Sequence, residues 1–183
     1  MSRLKQQRLK LIIAGDFAVG KTSLVKRFMG QDFSPSYKAT MGVECFTKSY
    51  RDEESNLIDL SIWDLSGQTL YRDVAISYAK ESDLVILVFD VTRQETFNNI
   101  KGWHKTIYDV IAENSRKYSA PCMIIGNKID LDDKRTVKLL EGVALAGSLK
   151  ALYIETSAKT GKNVDKAFNS FILKYIRISK LLF

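Results

Sequence analysis

The chain has 183 residues, a formal net charge of +7, 45% hydrophobic residues and two cysteines, Cys45 and Cys122. That length suits one domain with a sizeable core, and two cysteines in strand-like runs argue against a disulfide framework and fit a reducing compartment. No signal peptide is seen, no apolar run reaches the roughly 18 residues of a membrane span, and no nucleic-acid-binding motif appears, so the charge reads as a lysine-rich surface and the expected location is cytoplasmic.

The basic residues Arg3, Lys5, Arg8 and Lys10 read as a solvated arm covering about residues 1–7 and the start of the first strand. The apolar run Leu11-Ile12-Ile13-Ala14 predicts a buried strand over about 8–14, and Ser23–Met29 predicts a helix over about 21–29. Between them stands Gly15-Asp16-Phe17-Ala18-Val19-Gly20-Lys21-Thr22, of the form GxxxxGK[ST]. The chemistry of that motif needs this strand–loop–helix context. Successive N–H groups surround a phosphate chain and the positive end of the helix lies beneath it. The residues expected against phosphate are Phe17, Ala18, Val19, Gly20, Lys21, Thr22 and Ser23. Lys21 would reach the β- and γ-phosphates, and the Thr22 hydroxyl would ligate Mg²⁺.

Residues 30–42, with Ser34, Pro35 and Ser36, read as a loop. Strands follow at about 43–51 and 56–63, joined by a polar hairpin, Asp52-Glu53-Glu54-Ser55, which puts one antiparallel pair at a sheet edge. The second of these strands runs into Trp63-Asp64-Leu65-Ser66-Gly67-Gln68. Asp64 at a strand end is placed to hold a water on Mg²⁺, the Gly67 N–H to approach a γ-phosphate, and Gln68 to orient an attacking water. A loop and short helix fill 65–80, and Leu84–Phe89 is a fully buried strand.

Residues 95–115 predict a long helix, with Phe97, Ile100, Trp103, Ile107, Val110 and Ile111 on its apolar stripe. A strand over about 121–126 leads to Asn127-Lys128-Ile129-Asp130. A carboxylate accepts two parallel hydrogen bonds, and guanine offers N1–H and an exocyclic amine side by side where adenine does not. Asp130 can therefore select guanine, with Lys128 covering the base face and Asn127 tying this loop to the phosphate loop. A helix over 136–148 and a strand over 151–155 precede Glu155-Thr156-Ser157-Ala158-Lys159, where the Ala158 N–H could donate to the guanine carbonyl. The last helix starts near 163. Alternating strands and helices argue an α/β fold with a parallel sheet covered on both faces and ligand at the carboxyl ends of the strands.

In order and spacing these motifs resemble the Ras-like small GTPases, and most closely the Rab family, from about Arg8 to about Arg177. Phe89-Asp90-Val91-Thr92 and Thr40 before Met41-Gly42-Val43-Glu44 add to the match. The resemblance implies a P-loop NTPase G domain: a six-stranded, mostly parallel sheet with one antiparallel edge strand and helices on both faces. It implies GTP/GDP and Mg²⁺ as ligands and GTP hydrolysis as the reaction. Lys21 and Gln68 would be catalytic, and Thr22, Thr40 and Asp64 would hold the metal. Phe33 would pack on the guanine, and Asn127, Lys128, Asp130, Ser157, Ala158 and Lys159 would complete the base site. Residues 34–42 and 65–75 would be the switch loops that meet effector proteins. Phe46, Trp63 and Tyr78 match the Rab family's exposed aromatic triad, with ordinary core packing as the alternative, and vesicle traffic follows from the Rab likeness alone.

The chain also departs from that pattern. Phe17 stands where the family usually has a small residue, beside the γ-phosphate. A bulky ring there obstructs an activator's arginine finger, which contributes about 10³–10⁵ in rate, or else it turns outward and alters only partner choice. Leu65-Ser66 replaces the usual Thr-Ala, and Thr69 replaces a Glu, which puts ordinary nucleotide exchange in doubt. No cysteine follows Cys122, so the family's prenylated tail is expected to be missing here; a truncated chain, one domain of a longer protein and a protein without an anchor all fit. Two rivals are a GTP-loaded binding platform with negligible turnover and a P-loop phosphotransferase. Asn127–Asp130 argues against the second.

Overall fold

The computed structural model describes residues 6–35, 39–51, 57–114 and 120–182. The expected hairpin at 52–55, Ser36, and Arg3 and Lys5 of the expected arm lie outside them. The elements run β1 (Gln6–Ala14), α1 (Lys21–Phe28), β2 (Val43–Arg51), β3 (Leu57–Leu65), a 3₁₀ turn (Thr69–Tyr71), α2 (Arg72–Ser77), β4 (Leu84–Asp90), α3 (Gln94–Asn98), α4 (Ile100–Asn114), β5 (Cys122–Asn127), a 3₁₀ segment (Ile129–Lys134), α5 (Leu139–Ser148), β6 (Leu152–Thr156) and α6 (Val164–Leu182).

The six strands form one sheet in the order β2-β3-β1-β4-β5-β6. Only β2 is antiparallel to its neighbour; the other pairings are parallel. β4 and β5 are buried at every position, because helices cover both faces of a parallel sheet and leave no wet side for polar residues. Strand β3, nearer the edge, alternates half-buried and buried residues.

Two apolar layers result. On one face Leu24, Val25 and Phe28 of α1 and Phe168, Phe171 and Ile172 of α6 pack on Leu11, Ile13 and Ile86. Phe28 and Phe168 stack with ring centroids 4.3 Å apart. Burying each ring stabilises the fold by about 1.5–3 kcal/mol. On the other face Ala75 and Ile76 of α2, Trp103 and Ile107 of α4, and Leu145 of α5 pack on Ile12, Leu87 and Ile124. β1 sits where the strand order reverses. Its carboxyl end therefore opens into the crevice where ligands of such sheets bind. The chain leaves β1 at Gly15, whose φ is +140°; a Cβ there would run into the Val88 carbonyl of β4.

Three boundaries differ from expectation. The helix expected over 95–115 is assigned as α3 and α4, meeting at Asn99, although Asn99 N–H still donates to Glu95 O and Trp103 N–H to Asn99 O. Helix α5 begins at Leu139 rather than 136, because the N–H groups of Thr136 and Val137 both donate to Val91 O beyond β4. Finally, Arg8 and Lys10 belong to β1 and not to an arm. Lys10 Nζ donates to Lys80 O at 2.7 Å and lies 5.1 Å over the Trp63 ring.

Candidate nucleotide site

A cleft of about 450 Å³ opens at the carboxyl ends of the strands. The loop after β1 supplies Phe17, Ala18, Gly20 and, with the start of α1, Lys21, Thr22 and Ser23. Phe33 and Thr40 close it from the loop before β2, and Gly67 from the loop after β3. Asn127, Lys128 and Asp130 line it after β5, and Ala158 and Lys159 after β6. Four expected residues stand behind the wall. Val19, Asp64 and Ser157 have no exposed surface, and Gln68 is half-buried beside the cleft. Ser34, Pro35 and Ser66 of the expected switch ranges also line it, as do Lys26, Asp32 and Leu131, which the sequence reading did not include.

At the phosphate end, Lys21 is 6% exposed and its Nζ donates to Gly15 O at 2.9 Å and Asp16 O at 2.8 Å. Burial pulls this ammonium down to about 8, against the attraction of Asp64 and Asp16 and with repulsion from Arg93. A buried ammonium whose hydrogen bonds, among the described residues, go to two carbonyl oxygens suits an incoming anion.

The oxygens of Thr22, Thr40 and Asp64 converge. Thr22 Oγ1 lies 2.9 Å from Thr40 Oγ1 and donates to Asp64 Oδ2, and Thr40 Oγ1 is 3.5 Å from the same carboxylate oxygen. Burial raises the Asp64 carboxyl to about 6, against Lys21 and the Thr22 hydroxyl. Asp64 Oδ1 is buried without a hydrogen-bond partner among the described residues. Hard oxygen donors around an orphaned carboxylate oxygen fit Mg²⁺, which takes few protein ligands and completes its shell with water and phosphate.

The loop after β3 presses on this end. A Cβ on Gly67 would collide with the Asp16–Phe17 peptide, so a backbone with no side chain meets the phosphate loop there. Ser66, 1% exposed, donates its hydroxyl to Thr40 O at 2.9 Å and accepts from Gln68 N–H at 3.3 Å. Ser66 thus ties the loop after β3 to the loop before β2.

At the base end, Asn127 Nδ2 donates to Val19 O at 2.9 Å, and its Oδ1 accepts from Thr156 Oγ1 at 3.1 Å and Ala158 N–H at 3.2 Å. The Ala158 N–H expected to serve a guanine carbonyl is therefore already directed at Asn127. Ser157 Oγ donates to Asp130 Oδ1 at 2.6 Å, fixing one carboxylate oxygen and leaving the side chain at the cleft wall. Arg27 Nη2 donates to Lys159 O at 2.8 Å, which holds the loop after β6 against α1.

Sequence reasoning missed the supports outside the cleft. The Asp16 carboxylate accepts from Trp103 Nε1 and Asn99 Nδ2, each at 2.7 Å, and the Arg72 guanidinium lies 4.3 Å over the Trp103 ring. The signal was present: Trp103 sits on the apolar stripe, and a buried indole needs an acceptor for its N–H.

The aromatic triad needs correction. Trp63 and Tyr78 stack at 5.4 Å, and Tyr78 is 41% exposed. Phe46 lies on the other face of the sheet, half-buried against the layer under α1 and α6. Side chains alternate along a strand, and in the β2–β3 register Cys45, not Phe46, stands opposite Trp63. Cys45 is exposed.

The sequence comparisons agree with this geometry. A sequence model of the Ras family matches residues 10–177. The chain is 39% identical to the Ras-related protein RIC1 of Oryza sativa subsp. japonica over 159 residues, covering 87% of this chain and 76% of that protein. It is 37% identical to the Ras-related protein RABG3f of Arabidopsis thaliana over 171 residues, covering 92% and 82%. The family model spans most of the chain and both relatives are Ras-related, so the chain belongs to the Ras family of small GTPases, close to Rab.

Proposed function

We propose that the protein is a guanine-nucleotide switch that binds GTP and GDP with Mg²⁺ and hydrolyses GTP slowly because of Phe17. The observation that carries this reading is one cleft with Lys21 and the Thr22–Thr40–Asp64 oxygens at one end and Asp130 at the other. Mg²⁺, held by Thr22 and Thr40 and through Asp64, would neutralise charge developing on the phosphate oxygens. Lys21 would exchange its two carbonyl partners for phosphate oxygens, and the loop N–H groups would add fixed dipoles. Gln68 would orient the water for in-line attack on the γ-phosphorus. Thr40 and Gly67 would sense the γ-phosphate, so its loss would release both switch loops.

Phe17 is 41% exposed and is among the residues that line the cleft, which supports this reading. A ring turned toward the γ-phosphate would crowd both Gln68 and an incoming arginine finger. Single-turnover hydrolysis of bound GTP on the parent and on Phe17→Gly tests this. The variant is expected to turn over several-fold faster and to respond more strongly to an activator. Equal rates would make Phe17 a partner-selection residue on an ordinary GTPase.

A second reading, a GTP-loaded platform with negligible turnover, draws on the same ring and on Thr69 in place of the family's usual Glu. In either reading effector proteins would meet the switch loops and the Trp63–Tyr78 face. A Rab-like role in vesicle traffic or signalling, at the cytosolic face of endomembranes, extends the resemblance.

A further inference from the structure

Asp90 ends β4, between the strand that carries the phosphate loop and the strand that carries the base loop. Its side chain is 2% exposed and fully committed. Oδ1 accepts from Thr92 N–H at 2.9 Å and Thr92 Oγ1 at 2.7 Å. Oδ2 takes two cations, Lys128 Nζ at 2.7 Å and Arg93 Nε at 3.3 Å. The Arg93 fork then reaches on, and Nη2 donates to Phe17 O at 2.7 Å. One carboxylate thus joins Lys128 of the base loop to the Phe17 peptide of the phosphate loop through a single guanidinium.

We infer that Arg93 is a positioning residue that braces the phosphate loop against the base loop through Asp90 and so slows nucleotide release. The inference rests on the guanine-nucleotide reading of the cleft. The chemistry requires arginine. Its planar fork donates in two directions at once, whereas a lysine ammonium is a compact point charge on a flexible stem. At this position lysine can satisfy the Asp90 carboxylate or the Phe17 carbonyl but not hold both in a fixed geometry. The brace lies outside the cleft wall, so it acts on the loop and not on the phosphates themselves. It also fixes the peptide from which the Phe17 ring projects.

The test is release of N-methylanthraniloyl-GDP from the preloaded chain, chased with excess GDP in Mg²⁺, for the parent, Arg93→Ala and Arg93→Lys, with thermal melts of each. Losing a charge-assisted hydrogen bond to the loop is expected to speed release about tenfold in Arg93→Ala. Arg93→Lys is expected to release nearly as fast as Arg93→Ala, while its melting midpoint stays near that of the parent. Release from Arg93→Ala at the parental rate would overturn the brace. So would full restoration by Arg93→Lys, since a single charge would then suffice. A parent chain that does not load guanine nucleotide would overturn the proposed function, and the brace with it; a parent that loads normally with unchanged variants would overturn the brace alone.

Discussion

In the proposed guanine site the base reading would fall on Asp130. Its carboxylate would accept guanine's paired donors, and the Ser157 hydroxyl donates to it at 2.6 Å. Truncation would remove two charge-assisted hydrogen bonds to the base, together about 2–4 kcal/mol. Asp130→Ala is therefore expected to weaken GDP binding by a factor on the order of 30–10³, measured by fluorescent GDP titration. ATP should bind neither protein well, because the rest of the base site does not change. A variant that holds GDP like the parent would remove Asp130 from base selection. Most residues that line this cleft were legible in the sequence, because they stood in motifs and each motif carries its own chemistry. Their supports were not, because Trp103, Asn99 and Arg93 reach Asp16 and Phe17 from at least 76 positions away.

At the scale of elements, the strands were the most readable parts. Leu84–Phe89 and Met123–Gly126 are uninterrupted apolar runs, and such runs become strands buried on both faces. Helix starts were less readable, since that of α5 is set by the Val91 carbonyl, which is distant in sequence. The antiparallel edge pair β2–β3 was read correctly, but the facing of Phe46 on it was not. Phe46 was matched by residue type, while facing is decided by register, and a shift of one residue moves a side chain through the sheet. The pairing puts Cys45 on the Trp63 face, exposed, and leaves Cys122 buried in β5. Burial raises both thiols, Cys122 to about 12. In the native protein a thiol reagent should therefore modify Cys45 at a measurable rate while Cys122 stays inert, with both reacting after denaturation. Modification of Cys45 should also perturb Trp63 emission, since the two residues are paired across β2 and β3. Two thiols reacting at similar native rates would show that the β4–β5 core opens readily.

At the scale of the whole molecule, several loops converge at the carboxyl ends of the strands without a continuous chain between them. Gly20 and Asn127 already touch across the gap: a Cβ on Gly20 would strike the Asn127 amide. The loop with Thr40 meets the start of α1 through the Thr22 hydroxyl, and the loop with Gly67 meets the phosphate loop with a bare backbone. Nucleotide would therefore tie the parts together more than the empty fold does, and anything that binds only the native state stabilises it by mass action. At a hundredfold excess over Kd the gain is about 2.7 kcal/mol, and for a chain of this size each kcal/mol raises the melting midpoint by about 2–4 °C. GDP with Mg²⁺ should thus raise the midpoint of the nucleotide-stripped protein by about 5–11 °C, followed by scanning calorimetry. EDTA should reverse much of that rise, because without the cation the Thr22, Thr40 and Asp64 oxygens no longer share a ligand with the phosphates. ATP with Mg²⁺ should leave the midpoint near that of the empty protein, since Asp130 would then face a base it cannot pair. Equal rises with GDP and ATP would mean that the phosphate end alone recognises the ligand, and the assignment of a guanine switch would fail at its base-reading half.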